Sequence, residues 1–155
     1  MEDDLTTCEQ FKDEGNKELK NSNFDKAVEQ YTKAIDLAKK EDSRVPKNKV
    51  AIYYANRAFA QIKLESYGLA IEDAQVSISN NPEYEKAYLR LAFSSEVLQH
   101  YKGAYAAYLK AFELSGKKDQ FIYQKLINCK KESEEYLKNK RLLMLHDHQD
   151  RGPKA

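Results

Sequence analysis

The sequence of 155 residues has few of the residues that interrupt helices, with 5 glycines and 3 prolines, and it contains no tryptophan. A β-sandwich needs many short strands with frequent turns, so this composition argues against that class and favours long helices. Hydrophobic residues make up 41% of the chain and charged residues 33%. A chain of this length and composition can bury one core without covalent staples, so we expect a single helical domain.

The chain also lacks an excess of either charge, because its formal net charge is +1 at pH 7. Such a balance gives no electrostatic reason to expect nucleic acid or a membrane as a partner. No run approaches the roughly 18 apolar residues that cross a bilayer. The acidic start MEDDLTTCEQ has no apolar stretch of the kind that a secretory signal requires. We therefore expect a cytoplasmic protein, with the nucleus as a second compartment.

Cysteine and histidine are scarce as well. For Cys8 and Cys129 we expect free thiols in a reducing compartment, with a disulfide between them as the alternative. His146 and His148 stand close together near the C-terminus, but two histidines in such a segment do not make a metal site. The sequence contains no glycine-rich phosphate loop and no Ser–His–Asp grouping. We expect no metal ion, no cofactor and no enzymatic activity.

What the chain does contain is an internal repeat in the segments NFDKAVEQYTKAI, SYGLAIEDAQVSI and HYKGAYAAYLKAF. An aromatic residue near the start of each segment is followed three positions later by alanine, and the intervals between these aromatics are 43 and 34 residues. These aromatic residues are Phe24, Tyr67 and Tyr101, and the small residues upstream of them are Gly15, Ala58 and Ala92. A 34-residue period of this kind is typical of the tetratricopeptide repeat, a pair of antiparallel helices.

The predicted fold is all-α: a right-handed superhelical solenoid of three such helix pairs with a long C-terminal capping helix. The predicted segments are a flexible acidic N-terminus at 1–7, repeats at 8–40, 47–82 and 84–114, a capping helix at 117–145 and a flexible tail at 146–155. The nine extra residues of the first interval predict a lengthened second helix and a loop near the pre-proline Val45.

The capping helix is predicted to cover the exposed face of the third repeat with one stripe of side chains. That stripe comprises Ile122, Leu126, Cys129, Ser133, Tyr136 and Leu137. A capped solenoid is expected to be a monomer. The adjacent carboxylates Glu72 and Asp73 do not face each other on a helix, which makes them a poor acid–base pair, and we expect them on a solvated helix face.

Five polar residues fall on the first helices of the three pairs, which such a solenoid exposes on its concave side. Asn56 and Arg90 occupy the same place in the second and third repeats, 34 residues apart. Lys86 lies four residues before Arg90, and Lys12 lies four residues before Asn16. Residues four apart share a helix face, so all five side chains are predicted to line one groove. They carry three positive charges and two amides, and no carboxylate is among them.

These five residues resemble the two-carboxylate clamp of tetratricopeptide co-chaperones, and the resemblance covers roughly residues 8–140. That family has a Lys and an Asn in the first helix, an Asn in the third, and a Lys and an Arg in the fifth. The segments GNKEL, YYANRAFA and YEKAYLRLA are also similar. The resemblance implies capture of the C-terminal EEVD tail of heat-shock protein 90 or heat-shock protein 70.

The resemblance also implies a role for each residue of the clamp. Lys12, Asn16 and Asn56 would hold the main-chain carboxylate of the terminal aspartate. Lys86 would meet its side-chain carboxylate, and Arg90 would reach a neighbouring group of the extended peptide. Such groups suit a terminal aspartate, because amides and cations donate charge-assisted hydrogen bonds to its two carboxylates.

Two further residues look like secondary peptide contacts. Phe59 stands where clamp proteins often have alanine, in the region that accommodates the valine before the terminal aspartate, so its ring either narrows that pocket or forms a firmer wall. Lys63 follows one turn later.

Two other interpretations remain open. Segments such as IYYANRAFAQIKLESYGLAIEDA and the later NCKK are similar to the repeat region of the serine/threonine protein phosphatase that carries tetratricopeptide repeats. In that family the repeats shield a catalytic domain, which implies a regulatory segment of a larger enzyme. Small glutamine-rich tetratricopeptide co-chaperones are nearly as similar. The remaining interpretation is a scaffold that grips an internal peptide.

Overall fold

A computed structural model describes residues 3–151, apart from the side chain of Asp150. Within that range the chain forms helices only, and the predicted all-α class is confirmed. The helices are α1 (Asp4–Lys20), α2 (Phe24–Ala38), α3 (Lys47–Lys63), α4 (Tyr67–Asn80), α5 (Glu85–Val97), α6 (Tyr101–Leu114) and α7 (Gln120–Asp150). None of these helices is both long and apolar enough to cross a bilayer. Residues 1–2 and 152–155, parts of the predicted flexible ends, lie outside the described residues.

The helices form three hairpins, α1–α2, α3–α4 and α5–α6, and each hairpin packs on the next. In addition α1 contacts α3, and α3 contacts α5. The first helices of the three pairs therefore lie side by side in one layer. This layer brings α1, α3 and α5, which carry all five predicted clamp residues, onto one surface.

The turn inside each hairpin has the same backbone geometry. Its central residue, Ser22, Glu65 or Gln99, has a φ of 61°, 60° or 62°. The following amide N–H bonds back to the carbonyl of the residue five positions earlier, at 2.8 Å in all three turns: Asn23 to Glu18, Ser66 to Gln61 and His100 to Ser95. A left-handed residue with this bond is the Schellman ending of a helix, which reverses the chain in a few residues.

A small residue lets the two helices of each pair approach closely, as the repeat pattern predicted. A Cβ added at Gly15 would lie 2.5 Å from Cε1 of the fully buried Tyr31, which is less than two carbon atoms tolerate. Ala58 and Ala92, at the equivalent places, are fully buried too. Close packing of this kind leaves no room for larger side chains at these positions.

The insertion between the first two hairpins lengthens α2 by a single residue, so most of the predicted lengthening of this helix is absent. α2 has 15 residues, against 14 in α4 and in α6. The extra residues form the loop 39–46 and an additional first turn of α3, which begins directly after Pro46. Proline disfavours a helical backbone at Val45 but is well suited to the start of a helix, so the added helical residues follow the proline.

The N-terminal half of α7 caps the third hairpin. Ile122, Leu126 and Cys129 are buried in one cluster with residues of α6, such as Tyr108. The cap begins at Gln120 rather than 117, because Gly116 and Lys117 have φ values of 73° and 60° and cannot continue a helix. The carboxylate of Asp119 then accepts the amide hydrogen of Ile122 at 3.1 Å and caps the new helix.

The C-terminal half of α7 departs from the prediction. Beyond Cys129, the predicted inner stripe becomes exposed, with Tyr136 at 38% and Leu137 at 53% of full exposure. The helix also continues to Asp150, five residues past its predicted end at 145. No proline or glycine precedes Gly152 in this stretch, so nothing in the local sequence ends the helix earlier.

Both cysteines are free and buried, in agreement with the expectation of thiols. The Sγ of Cys8 contacts the carbonyl oxygen of Ala34 at 3.3 Å, and the Sγ of Cys129 contacts that of Tyr101 at 3.5 Å. Burial raises the pKa of each thiol to about 11. Both thiols stay protonated at neutral pH and act as packing residues.

Candidate functional site

Two of the predicted clamp residues meet across the boundary between α1 and α3. The Nδ2 of Asn56 donates to the Oδ1 of Asn16 at 3.3 Å, and the hydroxyl of Tyr31 donates to the same oxygen. With its carbonyl oxygen taken by two donors, Asn16 keeps both hydrogens of its amino group for another acceptor. The inner layer therefore turns the Asn16 side chain into a hydrogen-bond donor, as a carboxylate ligand requires.

Arg90 on α5 is a largely buried cation that forms no ion pair with a carboxylate among the described residues. Its guanidinium carbon lies 4.3 Å from the centre of the Phe59 ring on α3, in a cation–π contact. Its Nε is buried and has no hydrogen-bond partner among the described residues. Burial lowers the pKa of the Arg90 side chain, an effect that the Tyr84 phenol partly offsets. An arginine held in this way is prepared to bind an anion.

Tyr84, the residue immediately before α5, lies near two of the predicted site cations. Burial raises the pKa of its phenol, while the charges of Arg90 and Lys12 act in the opposite direction. Lys12 belongs to α1 and Arg90 to α5, so positive charges from the first and last helices of the inner layer both lower the pKa of this phenol. The first and third repeats thus direct positive charge toward a common region. Sequence reasoning missed Tyr84, because it lies outside the repeat positions compared.

Lys12 is not free in this structure. Its ammonium forms an ion pair with Glu9, one turn earlier on α1, and lies 3.8 Å from a carboxylate oxygen of Asp13. The second oxygen of Glu9 lies 3.3 Å from the ammonium of Lys49 on α3. The five-residue set contains no carboxylate, but the site therefore has one directly beside it. The i, i+3 spacing of Glu9 and Lys12 was the available sequence signal, and it went unused.

Lys86 is exposed and lies one turn before Arg90 on α5. Beside Arg90 a pocket of about 380 Å³ opens between the inner helices and the start of α7. Its lining residues are Phe59, Ile62, Lys63, Leu89, Arg90, Phe93, Tyr108, Phe121 and Lys125. An apolar pocket next to a cationic region suits a peptide that carries an aliphatic side chain near an acidic end.

Phe59 supports the site rather than only narrowing it. Its ring lies under Arg90 and also 5.3 Å from the ammonium of Lys63. The bulky residue that departs from the family pattern thus serves as an aromatic platform for two cations. Both predicted secondary contacts lie in the pocket beside Arg90.

A buried ion pair orients α3 behind the site. The Nε and Nη2 of Arg57 donate to the two carboxylate oxygens of Asp73 at 2.7 and 2.8 Å, and its Nη1 donates to Thr32 at 3.2 Å. The expectation of a solvated Asp73 was wrong: this residue is 6% exposed, whereas Glu72 is exposed. Arg57 thereby joins α2, α3 and α4, and the preceding residue, Asn56, is left on the inner surface.

Within residues 3–151, no group of three histidine, cysteine or acidic side chains is arranged to hold a metal ion. His146 and His148 lie on the exposed C-terminal half of α7.

No protein-family model matches the chain. Individual relatives do. The chain is 37% identical over 118 residues to small glutamine-rich tetratricopeptide repeat-containing protein 2 of Saccharomyces cerevisiae, covering 74% of this chain and 32% of that protein. It is 34% identical over 131 residues to serine/threonine-protein phosphatase T of Aspergillus oryzae, covering 83% of this chain and 25% of that protein. The chain thus spans about a third or less of these curated relatives.

Solved structures are similar over most of the fold. The tetratricopeptide repeat domain of Sgt2 from Aspergillus fumigatus is 31% identical with a TM-score of 0.73, covering 84% of this chain and 82% of that one. The first such domain of Spaghetti (RPAP3), bound to the HSP90 peptide SRMEEVD, is 27% identical with a TM-score of 0.72, covering 82% and 95%. The TPR2B domain of yeast Sti1, in complex with an Hsp70 peptide, is 26% identical with a TM-score of 0.70, covering 81% and 98%.

Proposed function

The chain belongs to the tetratricopeptide repeat family, and we propose that it is a co-chaperone-type module that captures an acidic C-terminal peptide. The ligand that we propose is the EEVD tail of heat-shock protein 90 or heat-shock protein 70. The relatives solved with such peptides support this choice. We further propose that the module acts in the cytoplasm and has no catalytic activity of its own.

The observation that carries the proposal is Arg90. Its guanidinium is largely buried on an aromatic ring, and its Nε has no partner among the described residues. Burying an unpaired charge is costly, and natural structures hold such a group where a ligand completes it. A peptide carboxylate or backbone carbonyl supplies the missing acceptor.

Different residues of the inner layer bind the two carboxylates of a terminal aspartate. We propose that the amino groups of Asn16 and Asn56 donate to the main-chain carboxylate, together with Lys12 once it leaves Glu9. Lys86 meets the side-chain carboxylate. Because two carboxylates on one residue exist only at a chain end, this arrangement selects a free terminal aspartate over an internal one.

Upstream contacts add to the clamp. The pocket beside Arg90 takes the aliphatic side chain before the terminal aspartate, with Phe59 as one wall and Lys63 at its edge. Each charge-assisted hydrogen bond contributes about 1.5–3 kcal/mol, and ordering the tail costs roughly 2–5 kcal/mol. The expected affinity is therefore about micromolar, and it should fall as salt is added.

Isothermal titration with an acetylated MEEVD peptide and its C-terminally amidated twin tests the proposal. We expect micromolar binding of the free acid and at least about tenfold weaker binding of the amide, because the amide lacks the main-chain charge. Equal binding of the two peptides would rule out the clamp and favour a scaffold for internal peptides. An NMR titration with the heat-shock protein 90 and 70 tails then identifies the preferred chaperone.

A second candidate rests on the 34% identity to phosphatase T. In that case the described helices are the regulatory segment of a longer enzyme, and peptide binding relieves inhibition. Sequencing the parent transcript beyond Ala155 distinguishes the two proposals, since a phosphatase domain downstream favours the enzyme and a glutamine-rich segment favours the co-chaperone.

A further inference from the structure

The C-terminal half of α7 exposes more apolar surface than a water-facing helix normally does. Leu142, Leu143, Met144 and Leu145 are 49%, 68%, 62% and 59% exposed. Four consecutive residues cover a whole turn, so this apolar segment of α7 has no polar side at that level. A helix that is apolar all round is usually buried, and a contiguous exposed patch marks an interaction site.

A groove runs along the side of α7 next to this apolar segment. Its first part, about 590 Å³, lies between α6 and α7 and is lined by Gln99, His100, Tyr101, Lys102, Gly103, Tyr105, Lys130, Ser133, Glu134, Tyr136 and Leu137. Its second part, about 400 Å³, is lined by Glu134, Leu137, Lys138, Arg141 and Leu142. Glu134 and Leu137 line both parts, which makes the groove continuous. None of the predicted clamp residues lines it.

The charges along α7 indicate what fills the groove. Glu132, Glu134 and Glu135 precede Leu137, and Lys138, Lys140 and Arg141 follow it. In an antiparallel pair of α7 helices centred between Leu137 and Lys138, Glu134 comes opposite Arg141 and Glu135 opposite Lys140. Glu134 and Arg141 both line the groove, and neither forms an ion pair with another side chain among the described residues.

We propose that α7 pairs with the α7 of a second copy of this chain, antiparallel, about a two-fold axis between Leu137 and Lys138. Glu134 then lies opposite Arg141 of the partner subunit, and the same contact occurs again across the axis. The apolar segment of each copy covers the groove beside Tyr101 and Tyr105 of the other. Such a self-complementary contact is the closed, isologous arrangement of most homodimers.

The geometry leaves space for both molecules. Because α7 ends at Asp150, residues 125–150 of the two copies lie opposite each other in this register, a length of about 39 Å at 1.5 Å per residue. Ile122, which is buried in the cap, lies outside the overlap, and the antiparallel register puts the two solenoids at opposite ends of the helical pair. The expectation of a monomer rested on a cap with one apolar face, whereas this cap has a second one. The proposed dimer does not depend on the proposed peptide ligand.

Sedimentation velocity over about 1 μM to about 1 mM protein tests the dimer, with affinity expected in the micromolar range. We expect the mass to rise from 18.0 kDa toward twice that value. E134R places two arginines opposite each other, and R141E places two glutamates, so each variant should associate at least about tenfold more weakly. Both residues are exposed, so circular dichroism should show an unchanged helical signal.

Charge complementation provides the decisive control. A 1:1 mixture of E134R and R141E restores both contacts, and the double variant E134R/R141E restores them within one sequence. Both samples should dimerise like the natural chain. A natural chain that stays monomeric throughout the range overturns the proposal, as does a dimer that neither single substitution weakens. The proposal is also overturned if the 1:1 mixture of E134R and R141E associates no more tightly than each single variant alone.

Discussion

Glu9 and Lys12 form an ion pair one turn apart on α1, and the second oxygen of the same carboxylate lies 3.3 Å from the ammonium of Lys49 on α3. Partial burial pushes the pKa of Glu9 upward, but the two ammonium groups outweigh it and hold the pKa below its ordinary value. Glu9 is therefore ionised at neutral pH. The carboxylate of Glu9 is thus already paired with Lys12, which the proposed clamp assigns to a carboxylate of the peptide.

Replacing Glu9 should tighten peptide binding. In E9Q the competing charge is gone, and Lys12 becomes available to the ligand. We expect the affinity for acetylated MEEVD to rise about three- to tenfold at low salt, measured by isothermal titration. E14Q, an exposed acid on the same helix, is the matched control and should change the affinity much less. Weaker binding by E9Q would show that Glu9 positions Lys12 instead of competing for it.

Glu9 should also give the fold a distinct dependence on pH. Because its pKa is lowered in the folded state, its ion pairs stabilise the protein above its unfolded pKa, near 4.5. This stabilisation is lost as the pH falls through the lower folded value. The natural chain should therefore unfold at a higher temperature than E9Q at neutral pH, and this difference in unfolding temperature should disappear in acid. A difference in unfolding temperature that does not change with pH would show that the ion pairs of Glu9 are not its cause.

Removing the cations of α5 should abolish binding while the fold remains. R90A and K86A each delete a donor to the ligand, so we expect no measurable heat with acetylated MEEVD and an unchanged helical circular dichroism signal. K110A, an exposed lysine on α6, is the control and should bind normally. If R90A and K86A both retain the natural affinity, the clamp is not formed by these residues.

Gly15 connects helix packing to the clamp. G15A places a methyl group against the ring of Tyr31, whose hydroxyl donates to Asn16. We expect the free energy of unfolding to fall by about 1–3 kcal/mol in urea denaturation, and peptide affinity to fall with it. G68A is the matched control, since a Cβ at Gly68 meets nothing within 4 Å. A stable G15A with natural affinity would disprove the coupling.

The Arg57–Asp73 ion pair should be important for stability but not for ligand contact. Hydrogen bonding to Asp73 is the main cause that raises the pKa of Arg57, so the guanidinium is charged at any physiological pH. D73N leaves a buried cation without its partner and should cost about 3 kcal/mol in denaturant unfolding. E72Q, one residue away and exposed, is the control. A D73N protein as stable as E72Q would show that the pair contributes nothing.

The sequence by itself determined the helices, their order and the small residues at which they touch. These features depend on local periodicity and on steric limits, as the contact between Gly15 and Tyr31 illustrates. The same pattern of residues occurs in each of the three repeats. It also put five donor residues on the first helices. The sequence did not determine how far along α7 the side chains stay buried against α6. The burial of a residue such as Tyr136 depends on the length of the neighbouring helix, which the pattern within α7 does not show.

Only the tertiary structure decided how charges pair between different helices. Glu9 on α1 pairs with Lys49 on α3, and Arg57 on α3 pairs with Asp73 on α4. Arg90 meets the ring of Phe59 and is left without an acceptor for its Nε among the described residues. A flexible charged side chain satisfies its charge with whatever the packing brings within about 4 Å, and spacing along one helix does not contain that information.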